Sequence, residues 1–389
     1  MIIINEPFVS NLLKETIAQM QIPVLKNDFA KQLKQNFNFI DKPEAVEKIK
    51  TGEITNIYSN SENCINWINN NIEFSELPEK IKLLKNKYGF RKMLKPIYPD
   101  FYFKKITIDE IETLDISSVK LPFIIKPAVG FFSMGIYTVT NKKEWEETKI
   151  LLKEELKTIK GLYPEEVMDD SVFLIEEIIE GEEFAVDAYY NENKKPVILN
   201  IYKHIFSSSI DVSDRAYFTS KTIIEKYHDD FLKLLNEIGD LAKLRNFPMH
   251  IELRINKQGK AIPIESNPLR FAGWCMTDMA YYAYGINPYD YFFNQKQPDW
   301  ENILKDKVGK QYNVTVANIS KDIKLNDIES IDYEAFTKDF KHPLELRKMD
   351  YKTYPVFAFM FSETKEDDSK EFDYFLKSDL KKYIVMKSE

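Results

Sequence analysis

Two periods of apolar residues alternate along the chain. Ile2 to Ile4 form a short apolar run, and after Ser10, placed to cap a helix, Leu13, Ile17 and Met20 recur at helical spacing. Ile22, Val24 and Leu25 then read as a second strand, so the first part of the chain, to about residue 75, predicts a small α/β unit. No glycine-rich turn follows its first strand, so nothing there supports dinucleotide binding. Residues 78–106 read as an amphipathic helix running into a loop punctuated by Pro96 and Pro99. Their lysines and Arg91 lie among aromatic residues, a pattern that suits nucleic acid and equally a solvated basic face. Strands are predicted over 121–125, 135–139, 173–177, 184–190 and 197–202, and a helix over 231–244 on the period of Leu234, Leu235, Ile238 and Leu241. Beyond 296 come strand-like runs at 312–319 and 355–361 and a closing helix from about 370.

Length and composition narrow the class. A chain of 389 residues predicts two or three domains, and 44% hydrophobic content with 14% aromatics argues against disorder. The net charge of −8, from 54 basic and 62 acidic residues, disfavours a non-specific nucleic-acid binder. Two cysteines give no disulfide framework, and the four histidines show no zinc spacing. No apolar run suggests a membrane span, and the first residues lack a basic region like that of a signal peptide, so the expectation is a soluble cytoplasmic protein.

The most informative stretch runs from Met249 to Pro268. On a strand, Met249, Ile251, Leu253 and Ile255 share the core face, and His250, Glu252 and Arg254 share the other. A two-residue turn at Gln258-Gly259 pairs Lys257 with Lys260 and sets Glu252 opposite Glu265. Opposed carboxylates repel unless a cation lies between them, and Asn267, two residues on, adds a neutral oxygen. Such hard oxygen donors favour Mg²⁺ or Mn²⁺. The alternative is an exposed hairpin whose carboxylates pair with Arg254, Lys257 or Lys260.

Two further stretches carry chemistry. An apolar strand ends at Lys126, and a loop from Gly130 through Ser133 to Gly135 follows, suited to cradling phosphate or equally to a plain hairpin. The run Glu176-Glu177-Ile178-Ile179-Glu180-Gly181-Glu182-Glu183 reads as a strand ending in an acidic hinge, able to read an adenine edge and a ribose or to be a solvated hairpin.

Taken in order, these stretches resemble the ATP-grasp superfamily over about residues 80–295. The resemblance implies an α/β fold with three parts. A Rossmann-like pre-ATP-grasp domain would span 1–77, an ATP-grasp domain of two subdomains with ATP between them 78–295, and a small C-terminal α+β region 296–389. It implies Lys126 and the looser match Lys87, where Asn86 replaces the family's Asp, as phosphate-binding lysines. Gly130, Ser133 and Gly135 belong to the phosphate loop; Glu176, Glu177 and Ile179 form the adenine hinge, and Glu183 holds the ribose. Glu252, Glu265 and Asn267 coordinate Mg²⁺. Arg270, one residue further from the Asn than in several members, resembles the arginine that stabilises the transferring phosphoryl group, with Arg254 as a second candidate.

The implied activity is ligation of a small carboxylic acid to an amine through an acylphosphate, using ATP and releasing ADP, with no nucleic acid or membrane partner. A homodimer is expected from the resemblance alone. A hydroxyl-directed kinase and a non-catalytic nucleotide-binding module are the alternatives. Substrate selection is expected from the polar residues between Tyr202 and Lys221, among them Arg215 as a partner for a substrate carboxylate, and from 271–284.

Overall fold

The computed structural model describes residues 1–130, 135–159, 169–206, 215–368 and 370–387, apart from the side chains of 156–159 and 169–171. Two compact units make it up. The first comprises Met1–Gly181, Asp187–Val197 and Phe231–Cys275, and the second Glu182–Val186, Ile198–Asp230 and Met276–Glu389.

The first unit opens with a parallel sheet in the order Phe39–Ile40, Val24–Leu25, Ile2–Ile3, Tyr58–Ser59. Ser10 caps the helix Asn11–Met20 by accepting from the Leu13 N–H at 3.1 Å, and Leu13 and Ile17 bury its inner face. An antiparallel sheet follows in the order Phe103–Thr107, Asp169–Glu177, Phe123–Val129, Tyr137–Val139. Its core is built from Phe123, Ile125, Phe173 and Ile175 against Trp145 of the helix Lys142–Ile159. The strand Phe103–Thr107 occupies part of the expected loop. Only Ile106 of its five residues is fully buried, so the alternation that betrays a strand is almost silent there. The strand Phe123–Val129 continues past Lys126, which therefore stands in mid-strand opposite Leu174 and not at a strand end.

The helix expected over 231–244 starts earlier than its period suggested, spanning Lys221–Ala242. Gly239 on it faces the ring of Tyr190, where an added Cβ would lie 2.3 Å from a ring carbon, and the Tyr190 hydroxyl donates to the Leu235 carbonyl at 2.6 Å.

In the second unit, Ala216–Ser220, Lys310–Asn318, Val356–Lys365 and Pro343–Lys348 pair antiparallel in that order. The strand pair Ile328–Ile331 and Ile384–Met386 stands apart, over a core of Phe336, Phe340, Phe357 and Phe375. The runs expected at 312–319 and 355–361 are both strands, and the closing helix is Lys370–Lys377. No helix among the described residues is long and apolar enough to cross a membrane.

Candidate nucleotide and metal site

The strands Phe247–Ile255 and Ala261–Pro268 form the expected hairpin, and Glu252 does stand opposite Glu265. The route to that register differs from the expected one. Asn256 closes a longer turn, accepting the Gln258 and Lys260 N–H groups on its side chain at 3.0 and 2.9 Å, with Gly259 at φ +76°. Ile255 then pairs with Ala261 and Leu253 with Pro263, a register one residue short. A bulge at Ile264 returns the residue before the glutamates are reached. The two departures cancel.

Met249, Ile251 and Leu253 are buried on one face, as alternation predicts. The opposite face carries Glu252 and Glu265 together, then His250 and Asn267. The carboxylates are 29% and 21% exposed, so the face is open to a ligand. The Lys87 ammonium lies 2.7 Å from Glu265 and donates to the Gly130 carbonyl at 3.2 Å. Burial by itself would raise the Glu265 carboxyl, but Lys87 outweighs it and holds the carboxyl below its ordinary range.

Two part-exposed carboxylates and an amide oxygen fit a hard divalent cation that keeps water or phosphate oxygens in its remaining positions. Among the described residues no group of three or more His, Cys, Asp and Glu side chains is arranged to hold a metal.

Lys126 is buried against Glu176 at 2.5 Å, and the second oxygen of Glu176 accepts from Arg91 Nε at 2.7 Å. Burial would raise the Glu176 carboxyl, but Arg91 and Lys126 bring it down to about 2. The Lys126 ammonium is lowered chiefly by burial, which Glu176 opposes and to which Arg91 and Lys87 add. Arg91, Lys85 and Lys87 are thus buried ion-pair partners and not a solvated basic face.

Arg270 is held by Glu62, which accepts from its Nε at 3.1 Å and its Nη2 at 2.8 Å, and the other Glu62 oxygen takes Lys85. Burial opposes ionisation of Glu62, yet the two cations bring its carboxyl to about 2.

Residues 119–278 match the family model of the ATP-grasp domain. This chain carries an ATP-grasp domain. No curated protein matches the sequence. Among solved structures, the L-amino acid ligase from Bacillus licheniformis is similar at a TM-score of 0.70 and 15% identity, over 100% of this chain and 98% of that one. Biotin carboxylase from Campylobacter jejuni, solved as a β,γ-ATP complex, is similar at 0.66 and 12%, over 99% and 91%. N5-carboxyaminoimidazole ribonucleotide synthetase from Thermotoga maritima is similar at 0.63 and 14%, over 100% and 99%. The whole chain has the ATP-grasp fold.

Within the first unit this fold gathers Lys87, Lys126, Glu176, Glu252, Glu265, Asn267 and Arg270. Arg254 is placed differently from its expected role beside the reacting phosphoryl. Its Nη1 donates to the Ile179 carbonyl at 2.9 Å, tying the segment before Gly181 to the hairpin. Gly181 makes that approach feasible, since at φ +128° an added Cβ would lie 1.9 Å from the Ile255 carbonyl oxygen. The Glu177 N–H donates to the Tyr102 carbonyl at 3.0 Å, and its carboxylate pairs with Lys120 at 2.7 Å. Gly135, at φ +69°, donates its N–H to Glu155 at 3.1 Å. Ser133 lies outside the described residues.

Glu183 belongs to the second unit, where it accepts from His204 Nδ1 at 2.8 Å. Arg215, expected to meet a substrate carboxylate, instead donates to the Leu376, Phe375 and Ser378 carbonyls at 3.0, 3.3 and 2.6 Å, closing the C-terminal end of the helix Lys370–Lys377. Asp187 carried no expectation. Fully buried, it accepts from His250 Nδ1 and from the Ala272 N–H, each at 2.8 Å, and leaves His250 Nε2 3.8 Å from Glu252. Glu62 likewise carried no expectation, and Lys85 and Arg91 were read only as part of the basic, aromatic stretch 78–106.

Proposed function

We propose that this protein is an ATP-dependent carboxylate–amine ligase acting on a small acid of the amino-acid or dipeptide kind. The observation that carries the reading is the shared face of Glu252, Glu265 and Asn267, with the phosphate-type lysines Lys87 and Lys126 in the same unit. Similarity in fold to an L-amino acid ligase supports the substrate class. The boundaries 1–77, 78–295 and 296–389 stand as part of this reading.

In this reading Lys126 and Lys87 bind phosphate oxygens, Arg254 fixes the hinge that meets adenine, and Glu183 is kept for the ribose on the family resemblance. Mg²⁺, held by Glu252, Glu265 and Asn267, would supply charge neutralisation of the phosphates. A carboxylate oxygen of the acid attacks the γ-phosphorus, and the bond to the ADP oxygen breaks, leaving an acylphosphate. Arg270, kept cationic and oriented by Glu62, faces the charge that develops on the transferred group. The amine then attacks the acyl carbon, and phosphate leaves with the acyl–oxygen bond pair. No nucleophilic Ser or Cys is required of the protein.

The test is ADP release with Mg²⁺ and ATP across pools of amino acids and dipeptides, run with and without hydroxylamine. Acid-stimulated ADP release with hydroxamate formation is the expected result. ADP release driven by an alcohol, with no hydroxamate, would replace the ligase by a kinase.

A further inference from the structure

The mechanism above uses Lys126 and leaves Arg91 without a part, although Arg91 is the more unusual residue. It lies one turn after Lys87 on the helix Lys87–Met93, is 3% exposed, and packs its guanidinium over Phe101 at 4.3 Å. Its Nε reaches Glu176, but neither Nη1 nor Nη2 has a hydrogen-bond partner among the described residues, and both are buried. A buried guanidinium with two unsatisfied nitrogens is costly to maintain. It cannot relieve that cost by losing its proton, as a lysine can.

The charge count explains what the arrangement achieves. Glu176 offers one negative charge, and two buried cations, Arg91 and Lys126, share it through separate oxygens. A simple Lys126–Glu176 pair would be neutral, and its lysine would attract phosphate weakly. With Arg91 taking up the carboxylate's charge, Glu176 can hold the Lys126 ammonium in place while positive charge remains for an incoming anion. The nearby Lys87 is already paired with Glu265.

We propose that Arg91 is a positioning residue of the nucleotide-phosphate site, occupying Glu176 so that Glu176 orients the Lys126 ammonium without cancelling its charge. The inference rests on the reading of Lys126 as a phosphate ligand. It makes part of the phosphate affinity of this chain depend on Arg91 and Glu176, acting through Lys126.

Calorimetric titration of the full chain with ATP and with adenosine, both without Mg²⁺, tests it. Arg91→Met is expected to weaken ATP by at least about tenfold while changing adenosine by less than about twofold. Arg91→Lys, which keeps the charge, is expected to stay within about threefold of wild type for ATP. The double variant Arg91→Met/Glu176→Gln removes both the shield and the charge it shields, and ATP affinity is expected to recover to within about threefold of wild type. That recovery is a result a merely structural role would not give, and it is available even where Arg91→Met alone fails to fold. Equal losses for ATP and adenosine, unchanged ATP binding in Arg91→Met, or a double variant no better than the single one would each overturn the inference. A wild-type chain that binds adenosine but gains nothing from the phosphates would overturn the reading of Lys126 itself.

Discussion

Replacing Glu265 by Gln is expected to lower magnesium-dependent ADP release by about a hundred- to a thousand-fold. The expectation follows from the ladder. Glu252 and Glu265 are directly opposed, so their Cβ atoms are about 5 Å apart, a spacing at which two carboxylates repel. Lys87 offsets one of the two charges. A divalent cation would satisfy both carboxylates, and the amide cannot replace the lost charge although it keeps the shape of the side chain. Steady-state ADP release at saturating ATP, with Mg²⁺ varied, reads the effect. Glu252→Gln should act in the same direction. A Glu265→Gln protein that turns over at the wild-type rate would show that the opposed pair has no part in the reaction.

The second large effect concerns stability. Glu176→Gln is expected to cost about 3–5 kcal/mol at neutral pH, because Arg91 and Lys126 would be left buried beside each other with no counter-charge. Its pH dependence has a definite sign. The Glu176 carboxyl sits at about 2 in the folded chain against an ordinary value of 4.5, and Glu62 behaves alike. A carboxylate lowered in this way stabilises the fold fully above the ordinary value and loses that contribution as pH falls through the folded one. Each of the two is worth about 3 kcal/mol in that window. Denaturant unfolding followed from pH 7 to pH 2 should therefore show wild type and Glu176→Gln converging below about pH 4.5. A gap that is absent at pH 7, or that stays constant down to pH 2, would contradict the assignment.

What could be read from the sequence, and what could not, divides by distance along the chain. The hairpin was legible because strand alternation and a short connection fix which residues share a face. Even there, the turn departs from the expected one and the bulge at Ile264 was not foreseen, and only their cancellation preserved the glutamate pair. The Ser10 cap and the helix it starts were legible for the same local reason.

Partners far apart in sequence were not. Arg91 and Glu176 are 85 residues apart, and Glu62 and Arg270 are 208 apart. A run of lysines and one arginine over two short helices looks the same whether it meets water or the carboxylates of Glu62, Glu176 and Glu265. Arg254 shows the converse. Alternation put it on the Glu252 face, but two residues further along the strand its side chain reaches the Ile179 carbonyl. Arg215 carries no local mark of its partners, which are the last carbonyls of a helix some 160 residues further on.

The central claim is that Glu252, Glu265 and Asn267 together grip the cation that carries the nucleotide phosphates. A crystal structure of the chain with Mn²⁺ and ADP, with the metal located by its anomalous scattering, tests that claim most directly. The account predicts manganese bound by oxygens of Glu252, Glu265 and Asn267 at about 2.0–2.3 Å, with ADP oxygens completing its shell. Manganese bound elsewhere on the nucleotide, with Glu265 still closed on Lys87, would contradict it.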